Sequence, residues 1–122
     1  MLKKPAEPDP NSLLPLPGAV FHILVALADE ERHGYAIMHD VAERTGGQLK
    51  LSAGTLYGAI KRMLEDGLIE ETPERPDAEY DDERRRYYRV TSFGRKAAMA
   101  EAARLSKLLS RAKAIGWLPK RG

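Results

Sequence analysis

Five residues within one short stretch of the chain could contact nucleic acid. They combine hydroxyl groups, an aromatic ring and two cations, and they are Ser52, Thr55, Tyr57, Lys61 and Arg62. Hydroxyl groups can reach bases or phosphates, a tyrosine can donate to a phosphate, and lysine and arginine hold the DNA backbone. A helix that presents such groups on one face fits the major groove of a DNA duplex. A solvated surface helix can carry the same residues, so the neighbouring elements decide between the two interpretations.

The same stretch is predicted to form one amphipathic helix. Its apolar residues recur with the spacing of 3.6 residues per turn, and they are Leu56, Ile60, Met63 and Leu64. Ser52 can cap the start of this helix, and Gly67 can end it in the left-handed conformation. The apolar stripe would pack on a core and turn the polar residues outward. For Tyr57, the alternative is that the ring packs inward and serves the core.

Charge changes sign sharply after this helix. Residues 70–83 carry eight acidic side chains against Arg75, and residues 84–122 carry twelve basic side chains against Glu101. Residues 68–72 and 84–91 alternate as strands do, and a polar, proline-bearing loop separates them. The two strands are therefore predicted to form a hairpin with an acidic loop and a basic second strand.

Three consecutive arginines, Arg84, Arg85 and Arg86, begin the second strand. Alternation along a strand puts Arg84 and Arg86 on one face and Arg85 on the other, so only one set can face DNA. Phosphate contact is the predicted role, and ion pairs with the acidic residues 81–83 are the alternative. The acidic tip of the loop should stay away from the duplex because carboxylates and phosphates repel each other.

The remaining elements complete a mainly α domain of the α+β class. Residues 1–17 hold five prolines and predict a flexible arm, whose leucines could dock on the body. Residues 18–30 predict a buried helix, and a second helix begins at His33, has Tyr35 in its apolar stripe and stops at Gly46 and Gly47. Residues 48–51 could add one bridge of strand. Helix, helix, turn, helix and hairpin define a winged helix-turn-helix over residues 18–91, with a two-stranded wing.

One long helix is predicted from its cap at Ser92 to about residue 118. It carries an apolar seam with heptad spacing, made of Ala98, Leu105, Leu108, Leu109, Ala112 and Ile115. Such a seam packs against a second helix. A domain of this size has little left to cover it, so residues 92–118 are predicted to be a dimerisation helix between two identical protomers. The symmetry of such a homodimer matches a palindromic DNA site.

Other classes of function lack the residues that they need. The chain contains no cysteine, which excludes disulfides, thiolate zinc sites and cysteine nucleophiles. Its three histidines show no metal-ligand spacing, and the sequence shows no nucleophile with a paired base and no phosphate-binding glycine loop. We therefore expect no metal, no cofactor and no enzymatic activity. No apolar run reaches the roughly 20 residues that span a bilayer, and no secretory signal is present, so we expect a cytoplasmic protein without a membrane partner.

Four segments resemble the PadR family of transcriptional regulators. They are residues 33–37 (HGYAI), 52–57 (SAGTLY), 61–69 (KRMLEDGLI) and 85–91 (RRYYRVT), the last followed by Gly94. The resemblance runs from about Val20 to Gly94. It implies a winged helix-turn-helix that dimerises through its C-terminal helix and binds an inverted-repeat operator in double-stranded DNA, usually as a repressor. This chain departs from the family at Gly58, where proline is common, and in its acidic wing loop.

The resemblance also implies that a small molecule can release such a repressor from DNA. In some relatives, aromatic side chains near the dimer interface line a pocket for flat hydrophobic compounds, and Trp117 could line such an effector pocket here. The alternative is that Trp117 caps the dimer core. Any effector pocket should lie between the C-terminal helices and the first helix. Two other functions stay open: a winged helix used for protein–protein contact, and a ligand-sensing dimer with weak DNA affinity.

Overall fold

Four helices and three short strands make up the fold in the computed structural model, which describes residues 7–72 and 86–119. In chain order they are α1 (Gly18–Ala26), β1 (Arg32–His33), α2 (Gly34–Arg44), α3 (Ala53–Glu65), β2 (Ile69–Glu71), β3 (Tyr87–Val90) and α4 (Ser92–Ala114). A 3-10 helix over Pro10–Leu13 precedes them. The predicted winged helix-turn-helix of the α+β class is confirmed, with α2 and α3 as its two helices and β2 and β3 as its wing.

The sheet has one strand more than the sequence predicts. β3 lies in the middle, and β1 and β2 both pair with it in antiparallel orientation. β1 places Arg32 opposite Tyr88, and it is only two residues long, which is too short to show a periodic pattern. Residues 48–51 form no strand, so the bridge predicted there is wrong.

Side chains cap the first turns of the three helices that follow β1. Nδ1 of His33 accepts a backbone hydrogen bond in α2 at 3.2 Å, and the hydroxyl of Ser52 accepts one in α3 at 3.1 Å. Thr91 caps α4 in place of the predicted Ser92, because its hydroxyl accepts from the backbone N–H of Gly94 at 2.9 Å. Each cap satisfies a backbone donor that the first turn of a helix leaves unpaired.

One hydrophobic core fixes the orientation of α3. The predicted apolar stripe of this helix is confirmed, since its buried residues are Leu56, Ile60 and Met63, while Leu64 is half-buried. In α2, the buried residues are Gly34, Ile37 and Val41, whereas Tyr35 of the predicted stripe is 48% exposed. Because one face of α3 is held by the core, its opposite face is turned to solvent.

The N-terminal segment contacts the domain through Leu16. This leucine is 7% exposed, and its backbone N–H donates to the carboxylate of Glu101 at 2.8 Å. Leu13 and Leu14 also pack against the core. Of the arm predicted over residues 1–17, residues 10–17 are thus held against the body, and residues 1–6 lie outside the described residues.

The carboxylate of Glu101 is buried in the first half of α4, where the side chain is 2% exposed. Arg104 donates a hydrogen bond to it from the next turn of the helix. That bond lowers the pKa of Glu101 below its usual value, burial acts in the opposite direction, and the N–H of Leu16 lowers the pKa further. Glu101 therefore joins α4 to the N-terminal segment as a charged acceptor.

Candidate nucleic-acid interface

The first turn of α3 presents two hydroxyl groups to solvent. Ser52 and Thr55 are both exposed, and the Ser52 hydroxyl donates to the Thr55 hydroxyl at 3.0 Å while it caps the helix. In docked helix-turn-helix proteins, the N-terminal residues of the second helix reach the base edges. Both residues thus lie where base contact is expected.

Two cations follow on the exposed side of the same helix. Lys61 and Arg62 are exposed, and neither forms an ion pair within the described part of the chain. Arg62 comes seven residues after Thr55, which returns it to nearly the same side of the helix, two turns further along. The structure therefore groups four of the five predicted residues on the face of α3 that points away from the core.

Tyr57 faces the domain instead. Its hydroxyl is buried, and the ring packs where Gly34 leaves room, because a Cβ at Gly34 would collide with the tyrosine hydroxyl. A buried hydroxyl cannot donate to a phosphate from this position. The placement agrees with the alternative in which the ring serves the core, so we leave Tyr57 out of the contacts proposed below.

Gly58 lies at the middle of the exposed face of α3, and nothing in the structure explains why it is glycine. Apart from its chain neighbours and the backbone of its own helix, no atom of the described residues lies within 4 Å of where its Cβ would be, and its backbone does not have a positive φ.

The wing arginines are placed differently from the cations of α3. Arg86 lies 3.2 Å from Glu71, and Arg89 lies 2.8 Å from Glu70. The alternative of ion pairing is therefore present at Arg86, although its partner is on β2 and not among the acidic residues 81–83 that the sequence indicated. Arg84 and Arg85 lie outside the described residues.

Sequence reasoning missed three residues of this surface. The strand pattern predicts no individual role for Glu70 and Glu71, although opposite charges on facing strands are a readable signal once the register is known. Lys50 was also omitted. It is exposed, lies two residues before the cap of α3, and forms no ion pair among the residues that the structure describes.

The predicted seam on α4 divides into half-buried and exposed positions. Ala98, Leu105 and Ala112 are half-buried. Leu108 is 59% exposed, Leu109 is 53% exposed, and Ile115 is 39% exposed. The described residues therefore leave a large part of each of these three apolar side chains uncovered.

A shallow groove of about 420 Å³ runs beside this seam, between α1 and α4. Its residues are Phe21 of α1 and, in or just after α4, Ala102, Leu105, Ser106, Leu109, Ser110, Lys113 and Leu118. This is where the sequence predicted an effector pocket. Trp117 does not line the groove, and its side chain is 77% exposed.

Neither a metal site nor a membrane span emerges from residues 7–72 and 86–119. Within these ranges, no three histidine, aspartate or glutamate side chains are grouped so that they could hold a metal ion. No helix there is both long enough and apolar enough to cross a membrane.

The fold and this surface together define a class of protein, the winged helix-turn-helix DNA-binding domains. α3 occupies the position of the recognition helix, and its exposed face carries hydroxyl groups and cations. Comparison with known proteins narrows the class to a family.

The model of the "Transcriptional regulator PadR-like family" matches residues 23–100. An uncharacterized protein of Lysinibacillus sphaericus is 32% identical over 83 residues, which are 65% of this chain and 69% of that protein. A PadR family transcription regulator of Clostridium difficile has a similar structure, with a TM-score of 0.67, 25% identity, and coverage of 80% of this chain and 96% of that one. A transcriptional regulator of Clostridium thermocellum shares the fold with a TM-score of 0.68 and 22% identity, over 80% of this chain and 89% of that one.

This chain belongs to the PadR-like family of transcriptional regulators, as its sequence motifs predicted. The match covers everything from the middle of α1 to the first turns of α4. It therefore includes α3 and both strands of the wing.

Proposed function

We propose that this protein is a cytoplasmic, homodimeric repressor that binds an inverted-repeat DNA operator in a sequence-specific way. The observation that carries the proposal is the exposed face of α3, where Ser52, Thr55, Lys61 and Arg62 stand opposite an apolar stripe that packs on the core. A helix anchored in this way can enter a major groove without disturbing the core.

The four residues of α3 have two roles in this proposal. Ser52 and Thr55, at the start of the helix, contact base edges and set the register on the operator. Lys61 and Arg62 hold phosphates, which supplies affinity that depends on salt but carries no sequence information. Because neither cation is held by an acidic partner in the described part of the chain, neither has to break an ion pair before it binds DNA.

The homodimer follows from the uncovered seam on α4. Leu108, Leu109 and Ile115 would be buried by the same residues of a second copy. A two-fold axis at this seam presents two copies of α3, and half-sites about one helical turn of DNA apart would receive them.

A small hydrophobic effector is the proposed signal that ends repression. The groove between Phe21 and α4 is lined mainly by apolar side chains and adjoins the dimer seam. A compound bound there would change how α4 sits on α1, and thereby the separation of the two α3 helices. Trp117, which lies outside the groove, is proposed to cap the dimer core.

The double variant Lys61→Ala with Arg62→Ala tests the role of α3. We expect operator affinity to fall at least about tenfold, and the slope of log affinity against log salt to decrease by about two per protomer, since each cation holds one phosphate. Titrations by mobility shift over a range of salt concentrations measure both quantities. Unchanged affinity would show that α3 is not the recognition helix.

A matched control removes two cations elsewhere. Lys107→Ala with Arg111→Ala makes the same change in net charge on exposed positions of α4. This variant should retain the affinity and the salt slope of the wild type.

A second candidate function is a winged helix that binds another protein. The ion-paired wing, in which Arg86 and Arg89 are matched by glutamates, favours this alternative because it weakens the attraction to phosphates. Under this alternative, binding to a partner protein would persist at a salt concentration that abolishes duplex binding. Under the repressor proposal, duplex binding is specific for the operator sequence and is tighter than binding to a partner protein.

A further inference from the structure

The wing of this protein carries its own acidic competitors for DNA. Glu70 and Arg89 are directly opposite each other in the register of β2 and β3, and their side chains form an ion pair at 2.8 Å. Glu71 and Arg86 form a second pair at 3.2 Å, one step further toward the loop. The two arginines nearest to the base of the wing are thus each matched by a glutamate of the neighbouring strand.

Both pairs lie on the surface of the wing. β2 begins four residues after the last residue of α3, so the wing continues directly from the recognition helix. About half of each side chain in both pairs is exposed. Exposed ion pairs of this kind are weak enough to exchange one partner for another.

We propose that Glu70 and Glu71 limit the affinity of the wing for DNA by competing with phosphate oxygens for Arg89 and Arg86. This inference rests on the proposed function, because it assigns a role to the wing of a DNA-binding dimer. A phosphate that takes Arg89 must displace Glu70, and the displaced carboxylate then lies close to the DNA backbone and is repelled by it. The wing therefore adds less affinity than its arginines alone would provide.

The competition acts on sequence-independent affinity. Phosphate contacts are the same for every duplex sequence. Competition by Glu70 and Glu71 for the wing arginines therefore weakens binding to operator and to unrelated DNA alike. This competition leaves recognition to α3, whose cations have no such competitors within the described part of the chain.

A double-mutant cycle between Glu70 and Arg89 tests the proposal. Glu70→Gln keeps the shape of the side chain and removes the competing charge. We expect affinity for both operator and unrelated duplex to rise about two- to fivefold, the range that a weak exposed ion pair allows. The salt slope should become steeper by about one per protomer, because the released arginine now neutralises a phosphate. Glu71→Gln should act in the same direction through Arg86.

The cycle separates a released arginine from a simple change in net charge. In the Arg89→Ala background, Glu70→Gln should raise affinity by clearly less than it does in the wild type, because only the repulsion of the carboxylate is removed and no arginine remains to be released. Glu43→Gln is the matched control, since this exposed glutamate pairs with His39 on α2 and not with the wing. It should bind DNA as the wild type does.

Two results would overturn the inference while the proposed function stands. One is an equal gain from Glu70→Gln with and without Arg89, which would indicate general charge repulsion. The other is no gain, or a loss, in a Glu70→Gln protein that unfolds in urea at the wild-type midpoint. If neither the wild type nor the Lys61 and Arg62 double variant binds any duplex, both the inference and the proposed function are wrong.

Discussion

The two halves of α4 present the same helical face to different surroundings. Gly94, Glu101, Leu108 and Ile115 are seven residues apart and form one row along this helix. Gly94 and Glu101 are buried in the domain, whereas Leu108 and Ile115 are exposed. The first half holds the protomer together, and the second half continues the same face beyond the body of the domain.

Contacts explain why the first half is fixed. A Cβ at Gly94 would collide with the backbone carbonyl of Leu68, so α4 starts in close contact with the residue that precedes β2. Phe93, Ala97 and Glu101 are also buried, so the domain holds α4 as far as Glu101. Beyond them, the described residues leave the apolar side chains of the second half partly exposed, so these side chains are available to a partner outside the protomer. One helix can therefore serve both the fold and an assembly, and substitutions in its two halves should separate the two roles.

The largest effect is expected from Leu108→Glu in the second half. A carboxylate at the seam of both protomers should prevent dimerisation, and operator affinity should fall at least about 100-fold because the two half-sites no longer bind as one unit. The helical signal in circular dichroism should stay unchanged, since Leu108 makes few contacts within the protomer. Sedimentation and mobility-shift titrations measure the two losses.

Met99→Glu is the control for that substitution. Met99 is 72% exposed and lies on the other side of α4, so the same charge there should leave the dimer intact. A Leu108→Glu protein that remains dimeric at micromolar concentration would refute the assignment of the seam.

In the first half of α4, Glu101→Ala should lower the stability of the protomer and leave its dimerisation intact. It removes the acceptor of the Leu16 N–H and of Arg104, and the buried N–H left without a partner should lower the free energy of unfolding by about 1–3 kcal/mol. Dimerisation and operator affinity should change little. Urea unfolding measures the loss, and an unchanged midpoint would contradict the buried contact. Glu65→Ala, an exposed glutamate of α3, should change the free energy of unfolding by less than about 0.5 kcal/mol.

A smaller effect is expected when Glu101→Gln is compared with the wild type at different pH. Because the folded protein lowers the pKa of Glu101, its charge stabilises the fold above the unfolded pKa of about 4.3 and loses that contribution as the pH falls through the folded pKa. The wild type should therefore be more stable than Glu101→Gln near neutral pH, and the difference should narrow on acidification. Urea titrations between pH 7 and pH 3 test this, and a difference that widens at low pH would contradict the direction of the shift.

Local patterns made much of the fold predictable. The apolar stripe of α3 and the cap at Ser52 depend on residues within one helix, and Gly67 has the positive φ of 76° that its position after the helix required. The exposure of Lys61 and Arg62 followed from the same stripe. These features could be predicted because sequence-adjacent residues determine them.

Features that depend on distant residues could not be predicted in the same way. Tyr57 turns inward because Gly34, in another helix, leaves room for its ring. Glu101 carries a charge but is buried, because its partners include the backbone of Leu16 near the other end of the chain. The ion pair of Glu70 and Arg89 depends on the register in which β2 pairs with β3, and the sequence of neither strand alone determines that register.

Selection of bound duplexes from a random pool by the full-length protein, followed by sequencing, tests most directly whether this protein is a dimeric, sequence-specific DNA-binding protein. The number of chains per duplex is then determined for the enriched sequences. We expect an enriched pair of inverted half-sites whose centres lie about 10 base pairs apart, bound by two chains. No enriched sequence, or a single half-site bound by one chain, would contradict the proposal.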